Sequence, residues 1–152
     1  IALPSSGLHS NGFSLARKVL FDTMNLDFND DFNGKPLIQT LLTPTNIYVK
    51  TFKALKNEIV AMAHITGGGI IENLPRVLPE NLMAEVKKES IKVLPIFELI
   101  SKHVDSNEMY RAFNMGIGMI LVVEDKNVDS VLAKADGSYL IGEIKEGKRE
   151  AV

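Results

Sequence analysis

The chain has 152 residues, 45% of them apolar and 24% charged, with a net charge of −2. Those values describe one globular domain with a real core and exclude a disordered chain. The slightly negative balance, with no basic stripe, excludes nucleic-acid binding driven by bulk charge. The absence of cysteine excludes disulfides and zinc–thiolate sites and fits a reducing cytosol.

The longest apolar run, Met115 to Val123, is far short of the roughly 17–25 residues a membrane helix needs. Ile1-Ala2-Leu3-Pro4 is no signal peptide. It also lacks an initiator Met, and the chain reads as a piece of something longer.

In chain order, Ile1–Leu3 predicts the end of a strand and Pro4–Gly7 a turn. Phe13, Ala16, Leu20 and Met24, with Val19 beside them, fall at helical period. They predict a helix from about Phe13 to Met24, capped by Ser10 or Asn11. Asn25–Lys35 reads as a polar loop; its Asp27, Asp30 and Asp31 do not form a calcium pattern. A short apolar element over Pro36–Leu42 precedes a helix over Ile47–Lys56. The apolar stretch up to Ile65 predicts a strand covered on both faces, followed by a tight turn at Thr66–Gly69 and a short helix. Met83–Lys88 predicts an edge strand. Pro95–Val104 predicts a helix with proline at its first position, and Ser106–Asn114 a second helix capped by Ser106. Met115–Val123 predicts the central strand, Asn127–Ala135 an amphipathic helix, and Ser138–Ile144 a last strand. Glu143–Val152 reads as a charged tail that frays. Strands alternating with helices place the chain in the α/β (or α+β) class, as a single layered α/β domain with a mixed sheet packed by helices. The C-terminal strand–helix–strand run is long enough for a crossover.

Two segments have the make-up of an anion site. In Ser5-Ser6-Gly7-Leu8-His9-Ser10-Asn11-Gly12 a glycine-rich loop leads into a helix. Ser10, Asn11 and Ser14 supply neutral donors there, and His9 supplies a titratable one. The alternative is that Ser10 caps the helix and the glycines only turn the chain. In His64-Ile65-Thr66-Gly67-Gly68-Gly69, followed by Glu72, Asn73 and Arg76, three glycines follow a strand, where backbone N–H groups can form an anion nest. The alternative is a tight turn with His64 as a core histidine. Neither run is a dinucleotide fingerprint or a Walker loop. No metal site is predicted. Gly116 and Gly118 read as strand glycines that admit close packing.

Four segments carry a resemblance. They are Ser5–Leu15; Leu41-Leu42-Thr43-Pro44-Thr45 with Ile47-Tyr48-Val49-Lys50; Ala63–Gly69 with Glu72-Asn73-Leu74-Pro75-Arg76-Val77-Leu78-Pro79; and Phe113–Met119. In this order they resemble the C-terminal domain of the phosphoribosylformylglycinamidine cyclo-ligase (aminoimidazole ribonucleotide synthetase) family. Phe13 stands where that family often has tyrosine.

The resemblance implies an ATP- and magnesium-dependent ring closure of formylglycinamidine ribonucleotide to aminoimidazole ribonucleotide in purine biosynthesis. It implies a cytoplasmic homodimer whose N-terminal domain, the partner of this chain, carries most ATP- and metal-handling groups. Under it, Ser10, Asn11, Gly12 and Ser14 meet the substrate 5′-phosphate. Thr66, Gly67, Gly68 and Gly69, with Asn73 and Arg76, form a cleft wall, and either His9 or His64 moves protons. Residues 1–152 would then fold alone but fail to catalyse alone. A related superfamily enzyme, such as formylglycinamidine ribonucleotide synthetase or selenophosphate synthetase, is the nearest alternative; a non-catalytic phosphate-binding module is another.

Overall fold

The computed structural model describes residues 1–151. Its centre is strand β6, Ile117–Val123, flanked by β1, Ala2–Pro4, on one side and β4, Ile59–His64, on the other, both antiparallel to it. The sequence of β6 explains its place. Five consecutive residues, Ile117 to Leu121, are buried, and each large apolar side chain buried there contributes roughly 1.5–3 kcal/mol.

Alternation then divides the core. Ile1, Leu3, Met119 and Leu121 point to one face, where they pack on α3, Val49–Leu55, and α7, Val128–Lys134, through Leu55 and Val131. Ala2, Ala63 and Ile120 point to the other face and join the main core, as does Ile117, which lies beyond the register shift between Leu3↔Met119 and Pro4↔Ile117. That core includes Leu20, Leu37 of α2 (Leu37–Leu41), Ile70 of α4 (Gly69–Asn73), Ile96, Phe97 and Ile100 of α5 (Pro95–Ser101) and Met109 of α6 (Ser106–Ala112).

Two smaller antiparallel pairs complete the fold. β2, Asp31–Phe32, and β3, Lys35–Pro36, form a hairpin. Asn33 and Gly34 turn it with φ of 54° and 81°, the Asn-Gly signature of a two-residue hairpin turn. β5, Leu82–Val86, pairs with β7, Gly142–Glu146.

The mixed helix–strand class is as expected, but the named ladders are all antiparallel and divide into three sheets instead of one mixed sheet. β6 and β7 lie in different sheets, so the helix between them makes no crossover. β4 is an edge strand, not one covered on both faces, and its Val60 is 65% exposed. The segment Asn25–Lys35 contains the hairpin. The charged C-terminal segment does not fray through Glu146: Lys145 bonds Glu85 at 2.9 Å and pairs with Glu143 at 3.1 Å. Further on, the Ala84 N–H donates to the Glu150 carbonyl at 2.8 Å. Val152 lies outside the described residues.

The first helix starts as α1, Phe13–Arg17, and widens into a π-helical stretch over Lys18–Thr23. Its N-cap is Gly12 in the left-handed region, with no side-chain cap, so neither Ser10 nor Asn11 caps it. α6 is capped by Asp105, whose carboxylate accepts from the Asn107 N–H at 2.8 Å, and not by Ser106. No helix among the described residues is long and apolar enough to cross a membrane.

Candidate functional site

The four segments singled out in the sequence meet around the β1/β6/β4 end of the fold, and each junction is a named contact. Asn114 is fully buried. Its amide donates to the Gly7 carbonyl at 2.9 Å and the Leu8 carbonyl at 3.3 Å. Its carbonyl accepts from the Ser5 hydroxyl at 2.9 Å and the Gly116 N–H at 2.8 Å. Both side-chain polar atoms of this buried asparagine are thereby satisfied, and Ser5 in the loop before α1 is pinned to the strand entry 109 positions later. Gly12 lies against the Phe113 ring, which a Cβ would enter at 2.6 Å.

The second segment closes on the first. The Ser6 hydroxyl donates to the Pro44 carbonyl at 2.6 Å. The Pro4 carbonyl accepts from the Asn46 amide at 3.1 Å and from the Tyr48 hydroxyl at 2.8 Å. His9, buried and left-handed at φ 57°, accepts at Nε2 from the Ser6 N–H at 3.1 Å and the Asn46 N–H at 3.4 Å. An imidazole nitrogen that accepts carries no proton, so the neutral ring holds its hydrogen on Nδ1. Nδ1 finds no partner, and an unmet buried donor costs roughly 1–3 kcal/mol. Burial, with a smaller contribution from charge on His64, holds the His9 pKa below its ordinary value. Burial also pushes the Tyr48 hydroxyl up to about 12, so Tyr48 stays a neutral donor.

The third segment turns at Gly68 and Gly69, with φ of 96° and 61°. A Cβ on Gly69 would overlap the Tyr110 carbonyl oxygen and sit 3.2 Å from that of Phe113. Asn73 is the clamp of this turn. Its amide donates to the carbonyls of Thr66, Gly67 and Gly69 at 3.3, 3.1 and 2.7 Å. Its carbonyl accepts from the Thr66 hydroxyl and from Arg76, each at 3.3 Å. Arg76 also lies 3.7 Å from Glu72, with both side chains more than half exposed.

His9, Asn11, Gly12, His64, Thr66, Gly67, Gly68 and Gly69 are therefore brought together. A Cβ on Gly67 would lie 3.9 Å from the Asn11 side-chain amide oxygen, so the two proposed anion segments are neighbours. Ser10 and Ser14 are exposed beside them. His64 ends β4 and is exposed, which removes the core-histidine alternative. Asn73 faces the loop it holds. Arg76 is exposed at the rim on the turn Pro75–Val77. Spacing alone missed Asn46, Tyr48, Asn114 and Gly118: all lie in or beside the singled-out segments, but their partners are distant in sequence.

Among the described residues, no three His, Cys, Asp or Glu groups come together as a metal site. The arrangement can bind and orient a polar ligand through backbone and neutral donors, and His64 adds an exposed imidazole.

Residues 1–152 match the family described as AIR synthase related protein, C-terminal domain. A protein of Thermoanaerobacter sp. (strain X514) named phosphoribosylformylglycinamidine cyclo-ligase is 48% identical over 97% of this chain and 47% of its own length. Proteins of the same name from Pseudothermotoga lettingae and Brevibacillus brevis are each 48% identical over 100% of this chain and 47% of their lengths. The chain spans about half the length of these relatives and corresponds to their C-terminal part. The chain therefore belongs to the AIR synthase related protein family, as its C-terminal domain.

Proposed function

We propose that the chain is the substrate-facing half of a ligase that converts formylglycinamidine ribonucleotide to aminoimidazole ribonucleotide. In that reaction ATP phosphorylates the amide oxygen, the amidine nitrogen attacks the same carbon, and phosphate leaves as the five-membered ring closes. The observation that carries the reading is the convergence of all four singled-out segments on one surface, in a chain 48% identical to proteins named as the cyclo-ligase.

In this reading Ser10, Asn11, Gly12 and Ser14 receive the 5′-phosphate through neutral donors. Thr66, Gly67, Gly68 and Gly69 form the wall that positions the amide and amidine. Arg76 offsets the Glu72 carboxylate there, and Asn73 keeps the wall rigid. Among the described residues no three His, Cys, Asp or Glu side chains gather to hold Mg²⁺, so no step here runs through a metal; Mg²⁺ and most of the ATP contacts are assigned to the N-terminal half.

That half is also the proposed partner. Leu42, Ile47, Val49 and Phe52 are 69%, 83%, 54% and 40% exposed on the segment that carries Tyr48, which supports cover by a second body. A cytoplasmic homodimer belongs to the same reading.

The 152-residue chain alone should form no product from ATP, Mg²⁺ and formylglycinamidine ribonucleotide, while the longer polypeptide should. In the latter, His64→Ala should lower turnover ~100-fold or more with an unchanged unfolding midpoint. Turnover by the isolated chain, or a His64→Ala loss of stability as large as its loss of rate, would sink the proposal.

A further inference from the structure

Tyr48 stands between the two histidines. Its ring centroid is 6.4 Å from that of His9 and 6.5 Å from that of His64. It is seated on the one residue of β6 that has room for it. A Cβ on Gly118 would overlap the Tyr48 hydroxyl oxygen and lie 2.7 Å from His9 Cε1. The Gly118 carbonyl accepts from the N–H of Ile65, the residue after His64, at 2.9 Å. The backbone that seats Tyr48 and His9 thus also fixes the end of β4. The Tyr48 hydroxyl is tied to Pro4, and the Asn46 N–H two residues before it is one of the two donors that hold His9 Nε2.

We propose that Tyr48 is a positioning residue: seated on Gly118 and tied to Pro4, it holds segment 46–48 against His9 so that His9 stays the neutral Nδ1–H tautomer, and it sets the gap to His64, the histidine left free to move protons. Two backbone donors occupy the only acceptor nitrogen of His9, so taking a proton there would break both bonds and bring a charge into a buried position. His64 has neither constraint. The role given to His64 rests on the cyclo-ligase reading; the tautomer of His9 and the seating of Tyr48 do not.

Nitrogen-15 NMR of the imidazole rings in the 152-residue chain at pH 7.5 tests the structural half. His9 should show the Nδ1–H tautomer, and Tyr48→Phe, which keeps the ring and removes the tie to Pro4, should shift it toward a mixture. A wild-type His9 carrying its proton on Nε2 would overturn the proposal, as would a Tyr48→Phe spectrum identical to wild type.

In the longer polypeptide, Tyr48→Phe should lower kcat by about 10- to 100-fold, the scale of a small misplacement of reacting groups, with KM within about twofold and the melting temperature little changed. An unchanged kcat, or a fall in kcat matched by a fall in stability, would overturn the positioning role. If the wild-type polypeptide forms no aminoimidazole ribonucleotide, the cyclo-ligase reading fails while the NMR result stands or falls separately.

Discussion

His9 shows how much one residue can be asked to do. It occupies a left-handed backbone position that costs an ordinary residue roughly 1–2 kcal/mol, and it links two loops through a single acceptor atom. Its pKa is held below the ordinary value of about 6.5, first by burial and then by His64. The folded state therefore takes up the His9 proton later than the unfolded chain as pH falls. The stabilisation is fully present above about pH 6.5 and is lost as pH drops through that value toward the folded pKa. His9→Asn tolerates a positive φ and cannot titrate, so it should flatten this component. Urea midpoints at pH 7.5 and 5.5 measure it: wild type should lose more stability between the two than the variant. Parallel losses would show that His9 does not titrate differently on folding.

At the scale of elements, the third segment is a turn whose glycines are not equivalent. Gly69 has a positive φ and a backbone oxygen where its Cβ would go; Gly67 meets only the Asn11 side-chain oxygen, at ordinary contact distance. Gly69→Ala should cost about 3 kcal/mol or more, whereas Gly67→Ala should stay within about 1 kcal/mol of wild type. Denaturant titration of the two separates them, and equal costs would mean the turn is not built as described.

The sequence shows such elements unevenly. The run into β6 was legible because burial on both faces leaves a continuous apolar stretch. β4 has a similar composition, and composition does not say that it lies at an edge. The Asn33-Gly34 hairpin was legible in principle but was hidden by its acidic neighbours. The cap of α6 lies one residue before Ser106 because Asp and Ser compete for the same role, and α1 begins at a left-handed glycine with no side-chain cap. Site segments could be recognised as patterns; Tyr48, Asn46 and Asn114 could not be given roles, since each acts on a partner roughly 40 to 110 residues away.

For the whole molecule, the C-terminal segment is a structural member. Its five register pairs, Leu82↔Glu146 through Val86↔Gly142, complete β5, whose Ala84 is buried in the main core. Deleting residues 142–152 should lower the melting temperature by at least about 10 °C, equivalent to roughly 3–5 kcal/mol for a chain of this size. A melt unchanged from wild type would make that segment dispensable.

The pairing of β1 with β6 sets the timetable on which this protein can come into being. The Ile1 backbone nitrogen meets the Leu121 carbonyl across 120 positions, and Ser5 meets Asn114 across 109. Closing so long a loop must precede its reward. At about 5–20 residues per second, a ribosome needs on the order of ten seconds after placing His9 before it reaches the strand that fixes it. Through that interval the first residues of the site lack the strand that fixes them, and they take their shape only once β6 has been made.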